Sequence, residues 1–95
     1  MPLTEPVDFK TRLQRGNRFQ LPKLVRWRYK LECDQVLRVK VSVVGSFGGW
    51  ESFYARMDKS GRTAIPALTR KLLDSTKRDG QSLVGSMLEI RLEPA

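Results

Sequence analysis

Cationic side chains in the first third of the chain form the pattern with the clearest chemical use. Eight lysines and arginines lie between Lys10 and Lys30, and no aspartate or glutamate interrupts them. A field of a single sign attracts polyanions, of which nucleic acid is the commonest. Arginine pairs bidentately with guanine or phosphate, whereas lysine acts as a point charge. The stretch therefore predicts a nucleic-acid-binding surface, with an ordinary solvated surface as the alternative.

The residues needed for most catalytic chemistry are scarce. The chain has no histidine and a single cysteine, Cys33. Ser-His and Cys-His nucleophilic pairs are therefore excluded, as are metal sites built on histidine or on several thiolates. No disulfide can form within the chain. We expect no catalytic residue, no metal and no cofactor, and hence a protein that is not an enzyme.

Length and composition are typical of one small domain. The chain has 95 residues with a formal net charge of +8, and its 40% hydrophobic and 29% charged residues are a globular mixture. No apolar run approaches the roughly 18 residues that a membrane helix needs. The first residues lack the apolar core of a signal peptide. These features predict one domain over residues 1–95 of a cytoplasmic protein that does not enter a membrane. The expected binding of nucleic acid adds the prediction that it is nucleoid-associated.

The chain is similar to itself at a shift of 44 residues, which brings Leu21-Pro22 onto Ile65-Pro66. Nine such matches fall within 18 residues, which chance does not readily produce. The other matches pair Phe9 with Phe53, Arg12 with Arg56, Leu13 with Met57, Arg15 with Lys59, Arg18 with Arg62, Leu24 with Leu68 and Arg26 with Arg70. We predict a first repeat over residues 9–44, a connector over 45–52 and a second repeat over 53–92.

Each repeat is predicted to fold as strand, turn, strand, helix and strand. Apolar and polar residues alternate over 9–13 and 53–57, which indicates a half-buried first strand. The turns that follow contain Gly16 and Gly61, which can take the positive φ of a tight hairpin. The closing strands are predicted over residues 37–43 and 88–92 from the same alternation.

The predicted helices cover residues 22–29 and 66–73. Each begins at a proline, which suits the first helical position because it has no N–H to leave unpaired. Leu68 and Leu72 are four residues apart on the second helix, so they are expected to face the core.

A specific motif surrounds the second turn: a strand, an acidic-basic-glycine turn, an arginine, a short strand ending in Ile-Pro, and an arginine four residues after the proline. It is carried by Asp58, Gly61, Arg62, Ile65, Pro66 and Arg70. In this motif the chain resembles the AbrB, MazE and MraZ group of swapped-hairpin DNA-binding proteins. The first repeat is a more divergent match, with Gln14 where the family has an aspartate.

The resemblance implies a fold that is mainly β with short helices. In the family, two β-β-α-β units interleave their hairpins into one swapped-hairpin barrel, usually from two identical chains. Two tandem units in one chain predict a single-chain pseudo-dimer, as in the tandem MraZ family. The short glycine-containing connector favours this arrangement over a homodimer that swaps hairpins.

The resemblance also implies binding of double-stranded DNA and a role in transcription regulation. Arg15 and Lys59 fall at the predicted turn tips, where long cationic side chains can reach a groove. Most contacts are expected to be made with phosphates and to weaken steeply with salt. The predicted DNA-binding residues are Arg12, Arg15, Arg18, Lys23 and Arg26 in the first repeat and Arg56, Lys59, Arg62 and Arg70 in the second.

Two pairs of residues in or beside this set have alternative interpretations. Arg26 and Arg70 are also candidates for structural pairing with Asp58, Asp34 or Asp79. Trp27 and Tyr29 can either stack on bases, as in single-strand binders, or pack in a core or interface, which is the commoner role.

Residues 1–50 hold ten cations and four acids, giving +6, and residues 51–95 hold eight and six, giving +2. The first repeat is therefore expected to contribute more of the affinity.

Three other functions compete with transcription regulation. A weakly sequence-specific architectural chromosomal protein fits the charge equally well. An antitoxin-like module is a weaker alternative, because the chain stops at Ala95 without the tail that usually wraps a toxin. A protein-interaction adaptor would use Phe47 and Trp50 of the connector. A prokaryotic or viral source is expected.

Overall fold

The computed structural model describes residues 5–33, 35–45, 49–74 and 84–94. Over these residues the order strand, strand, helix, strand occurs twice, and the fold is mainly β with two short helices, as predicted. No helix among the described residues is long and apolar enough to cross a membrane. The elements are β1 (Val7–Arg12), β2 (Arg18–Gln20), α1 (Lys23–Arg28), β3 (Leu37–Val43), β4 (Glu51–Ala55), β5 (Arg62–Ala64), α2 (Ala67–Asp74) and β6 (Met87–Glu93).

The strands form a four-stranded sheet in the order β1-β6-β3-β4 and a two-stranded ribbon of β2 and β5, all antiparallel. The first strand of each half pairs with the last strand of the other half: β1 with β6, and β4 with β3. The two halves are therefore interleaved, and neither could complete the sheet alone. Within the described residues the two sheets remain separate and are not closed into one barrel.

The core lies under the centre of the large sheet, where β3 and β6 pair. Along β3 every second residue from Leu37 to Val43 is buried, which is the predicted alternation. Val39 lies opposite Leu92 and Val41 opposite Ile90. Burying each such side chain contributes about 1.5–3 kcal/mol, so this double row is a main source of stability.

The predicted orientation of the second helix is wrong. Leu68 and Leu72, expected in the core, are 71% and 42% exposed, whereas Thr69 and Leu73 are buried. Leu68 and Leu72 form one stripe along α2, and Thr69 and Leu73 form a second stripe beside it with the same four-residue spacing. Each stripe contains leucine. The spacing is therefore compatible with either stripe facing inward. Packing against the sheet turns the stripe with the smaller threonine inward.

The buried threonine of the ribbon leads to a prediction about stability. Thr63 is fully buried opposite Phe19, and its hydroxyl has no hydrogen-bond partner among the described residues. An unpaired buried hydroxyl costs about 1–3 kcal/mol. Thr63→Val keeps the shape and removes this penalty, so it is expected to raise the free energy of unfolding by about 1 kcal/mol and Tm by roughly 4–8 °C.

Thermal unfolding followed by circular dichroism checks this expectation. Thr11→Val is the matched control, because Thr11 lies on β1 but remains partly accessible to water. Its hydroxyl can be hydrated, so little stabilisation is expected there. A lower Tm for Thr63→Val would show that the Thr63 hydroxyl is satisfied in solution.

Candidate nucleic-acid interface

The outer face of the β2-β5 ribbon is cationic. Phe19 and Thr63 point into the core, so the residues on either side of them point outward. Arg18 lies opposite Ala64, and Arg62 opposite Gln20. The two arginines are therefore diagonal neighbours across the ribbon, and their backbone positions are roughly 7–8 Å apart. Both are exposed, so two guanidinium groups point outward from one small surface.

The two hairpin turns extend this surface in both directions. Arg15 is exposed in the turn before β2, and Lys59 is exposed in the turn before β5. Since β2 and β5 run antiparallel, the two turns lie at opposite ends of the ribbon. The exposed cations follow in the order Arg15, Arg18, Arg62 and Lys59, and we call these four residues the ribbon cations.

Each turn is attached to the other half of the chain by an equivalent hydrogen bond. The backbone N–H of Ile65 donates to the carbonyl of Asn17 at 2.7 Å, and that of Leu21 donates to the carbonyl of Gly61 at 2.9 Å. The two bonds are equivalent at the 44-residue shift, because Ile65 corresponds to Leu21 and Asn17 corresponds to Gly61. The turns are thus placed by long-range contacts that relate the two halves symmetrically.

Two of the predicted DNA-binding arginines lie beneath these turns. Arg70 donates from Nη1 to the side-chain oxygen of Asn17. Arg26 packs its guanidinium against Gly61, since a Cβ atom built on Gly61 would lie 2.5 Å from the Arg26 Cζ. Both arginines are only partly exposed, and the Nε of Arg26 is buried. Their location matches the structural alternative, although Arg70 contacts an asparagine and not a predicted aspartate; Asp34 and Asp79 lie outside the described residues.

The remaining predicted site residues lie outside the ribbon strands and their two turns. Arg12, at the end of β1, donates from Nη1 to the carbonyl of Gly85 at 2.8 Å. Arg56 is exposed just after β4, and Lys23 is exposed at the start of α1. The structure therefore brings four of the nine predicted residues onto one surface.

The outer face of the large sheet has a different electrostatic character, because three of its cations pair with carboxylates. Arg91 donates to both carboxylate oxygens of Asp8, at 2.7 and 3.2 Å. Glu93 lies 2.9 Å from Lys40 and 3.8 Å from Arg38. The hydrogen bond from Arg91 lowers the pKa of Asp8, and the one from Lys40 lowers the pKa of Glu93.

None of the ribbon cations takes part in the ion pairs found among the described residues, although the charges of Arg62 and Arg18 help to lower the pKa of the nearby Asp58. The sequence did not reveal this contrast, because it depends on which strands are neighbours. The sequence also gave no signal for Gln20, whose outward amide donates to the carbonyl of Ser60 at 2.7 Å. This bond crosses from β2 to the turn of the other half.

Asp58 builds the second turn. Its Oδ1 accepts the backbone N–H groups of Ser60 at 2.8 Å and Arg62 at 3.0 Å, and its carbonyl accepts that of Gly61 at 3.0 Å. The hydrogen bond from the Arg62 N–H, assisted by that from Ser60, lowers the pKa of Asp58. The first turn has Gln14 at this position and instead uses positive φ at two successive residues, Gly16 and Asn17.

The lowered pKa of Asp58 predicts a pH dependence of stability. A depressed folded-state pKa adds stability above the unfolded-state value, near 3.8, and that stability is lost as the pH falls through the folded-state value. Asp58→Asn keeps the turn hydrogen bonds without the charge. Urea unfolding between about pH 7 and pH 2.5 is expected to show the wild type losing stability more steeply than Asp58→Asn on the acid side.

The difference between the two curves isolates Asp58, because Asp8 and Glu93 contribute equally to both proteins. If the free energy of unfolding falls equally steeply with pH in the two proteins, the hydrogen bonds of the turn do not stabilise the charged form of Asp58.

Comparison with known proteins gives a fold but no family. No protein-family model matches the chain, and no curated protein matches it in sequence. The solution structure of PHS018 from Pyrococcus horikoshii is similar, with a TM-score of 0.76 over 99% of this chain and 92% of that chain. The chain shares the fold of PHS018. The two sequences are 22% identical, so the likeness concerns the fold alone, and it spans both interleaved halves.

Proposed function

We propose that this chain is a DNA-binding transcriptional regulator of the AbrB-like type that contacts duplex DNA through the ribbon cations. The observation that carries the proposal is the placement of Arg15, Arg18, Arg62 and Lys59 along one exposed surface, while Arg38, Lys40 and Arg91 of the large sheet pair with carboxylates. A two-stranded ribbon fits the major groove of B-DNA, which is about 12 Å wide. Each of the four ribbon cations would neutralise a phosphate, and the two arginines at the centre would also lie close enough to reach base edges.

The proposed architecture is a single-chain pseudo-dimer in which repeats 9–44 and 53–92 together form the swapped-hairpin barrel. Its support is the pairing of each half's first strand with the other half's last strand, together with the equivalent turn hydrogen bonds. Light scattering at several concentrations tests it. A constant mass near 10.9 kDa agrees with the pseudo-dimer, and a doubled mass would favour the swapped homodimer.

The partly buried arginines have an indirect role in this proposal. Arg26 and Arg70 would hold the turns that carry Lys59 and Arg15, without lying on the contact surface themselves. Arg12, Lys23 and Arg56 would contribute to the surrounding potential, which attracts a polyanion before contact.

The test is fluorescence anisotropy with a random duplex of about 30 base pairs at several salt concentrations. Neutralising four phosphates gives a slope of log K against log salt of about −3.6. Submicromolar affinity at low salt together with a slope near this value is expected. Absence of binding at about 50 mM salt would contradict the proposal, because phosphate contacts are strongest there.

A weakly specific architectural protein is the second candidate. Of the four outward side chains on the ribbon, Ala64 cannot hydrogen-bond to a base, and Gln20 is already bonded to Ser60. Only two arginines then remain for reading sequence. Selection of bound sites from random DNA separates the candidates, because a regulator is expected to prefer its site over random DNA by about 10³-fold or more.

A further inference from the structure

The first helix carries an exposed tryptophan. Trp27 is 79% exposed, more than any other large apolar side chain of the described residues, and Leu24 beside it is 75% exposed. Val25 and Tyr29, on the inner side of the helix, pack against the core. A core position for Trp27 is therefore excluded, and one face of α1 is left apolar and open to solvent.

Three exposed cations lie near this tryptophan in the chain. Lys23 lies one helical turn earlier, with a Cβ–Cβ separation of about 5–6 Å, and Arg28 and Lys30 follow it, with the Arg28 Cζ 5.8 Å from the centroid of the Tyr29 ring. No carboxylate occurs in the sequence from Phe9 to Leu31. A flat aromatic ring beside exposed cations complements a ligand that is both aromatic and anionic.

The backbone at Lys30 supplies a second, independent observation. The helix ends with the Leu31 N–H donating to the Arg26 carbonyl at 2.9 Å and the Lys30 N–H donating to the Trp27 carbonyl at 3.3 Å. This is the Schellman arrangement, in which the residue at the position of Lys30 is left-handed and is usually glycine. Lys30 has a φ of 52°. A cation thus occupies the end of α1 at a position where glycine would be less strained.

We propose that α1 binds single-stranded nucleic acid, with Trp27 stacked on an unpaired base and Lys23, Arg28 and Lys30 in contact with the flanking phosphates. Every base has an aromatic face, and every link of the strand carries a negative charge. A base inside a duplex has both faces covered by its neighbours, so this surface selects unpaired nucleotides. DNA and RNA share this chemistry. The inference goes beyond the duplex proposal and shares only Lys23 with it.

The chain provides its own fluorescent probe. It contains two tryptophans, so Trp50→Phe leaves Trp27 as the sole indole. Titration with oligo(dT) and oligo(rU) of about ten nucleotides is expected to quench the Trp27 emission with at least one of them, as base stacking requires. No quenching by either strand would overturn the proposal. Equal quenching by polyglutamate would also overturn it, because the surface would then recognise acidity alone.

Substitution of Trp27 measures the stacking contribution directly. Trp27→Ala is expected to weaken single-strand binding by roughly tenfold, and Trp27→Phe by less, because the smaller ring still stacks. Lys71→Ala is the matched control, since Lys71 occupies the position on α2 that corresponds to Trp27 at the 44-residue shift. Its affinity is expected to stay within about twofold of wild type. An unchanged affinity of Trp27→Ala would contradict the proposal.

Lys30→Gly separates strain from function. It is expected to raise Tm, because glycine adopts positive φ without steric penalty, and to weaken single-strand binding severalfold through loss of a phosphate contact. A raised Tm with unchanged binding would leave Lys30 without a role in the site.

A parallel titration with duplex DNA keeps the two proposals separate, since quenching by single strands without duplex binding would contradict only the ribbon proposal.

Discussion

Replacing Arg18 and Arg62 together by glutamine is expected to reduce affinity for duplex DNA by roughly 10- to 100-fold at low salt, since each arginine would make a phosphate contact in the proposed complex. The slope of log K against log salt is expected to become shallower by about 1.8, the value for two phosphate contacts. Both side chains are exposed on the ribbon, and glutamine retains hydrogen-bonding capacity. The loss should therefore come from the interface and not from unfolding. Anisotropy at several salt concentrations gives both quantities.

The matched control removes two positive charges from a surface where the cations are paired with carboxylates. Arg38 and Lys40 lie on the outer face of the large sheet, beside Glu93. Arg38→Gln with Lys40→Gln lowers the net charge equally, but we expect an affinity loss of no more than about threefold, because only the long-range field is weakened. Equal losses in the two double variants would mean that net charge, and not the ribbon, drives binding.

Gly61→Ala is expected to lower the free energy of unfolding by about 2–3 kcal/mol. Gly61 has a φ of 82°, and an L residue there is strained by about 1–2 kcal/mol. The added Cβ would also lie 2.5 Å from the Cζ of Arg26 and displace that guanidinium from its partly buried position. Urea unfolding measured by circular dichroism is the suitable assay.

Gly16→Ala separates the two contributions. Gly16 has a φ of 80°, but the nearest side-chain atom to its Cβ position is the Arg18 Nε at 4.0 Å. Only backbone strain applies there, about 1–2 kcal/mol. In an Arg26→Ala background the clash disappears, so Gly61→Ala should then cost no more than Gly16→Ala. If the cost of Gly61→Ala is unchanged in that background, Arg26 does not pack against the turn.

The structure divides the cations of the chain into groups with different environments. The ribbon cations are exposed on one surface; Arg26 and Arg70 lie under the turns; Arg38, Lys40 and Arg91 contact carboxylates. In the sequence all of these were equivalent positive charges. A charge count therefore predicts a polyanion partner but cannot predict which arginines meet it.

Local features of the fold were predictable from the sequence, because their causes lie within a few residues. Alternation of side chains toward opposite faces predicts β3 and β6, and both appear with buried and outward residues in turn. Each helix begins directly after its proline, one residue later than predicted: Pro22 itself keeps an extended ψ of 139°. Gly61 takes the positive φ expected of its turn.

Long-range features required the folded chain. The sheet order, the attachment of each turn to the other half, and the positions of Arg26 and Arg70 depend on residues from different halves of the chain. Strand register and helix orientation depend on which apolar surfaces pack against each other in the folded chain. The residues that are adjacent in sequence do not determine that packing. For the same reason Leu68 faces solvent and Trp27 stands exposed among cations. Residue types along the chain determined the elements and their charge; only packing between the two halves determined which of those charges share a surface.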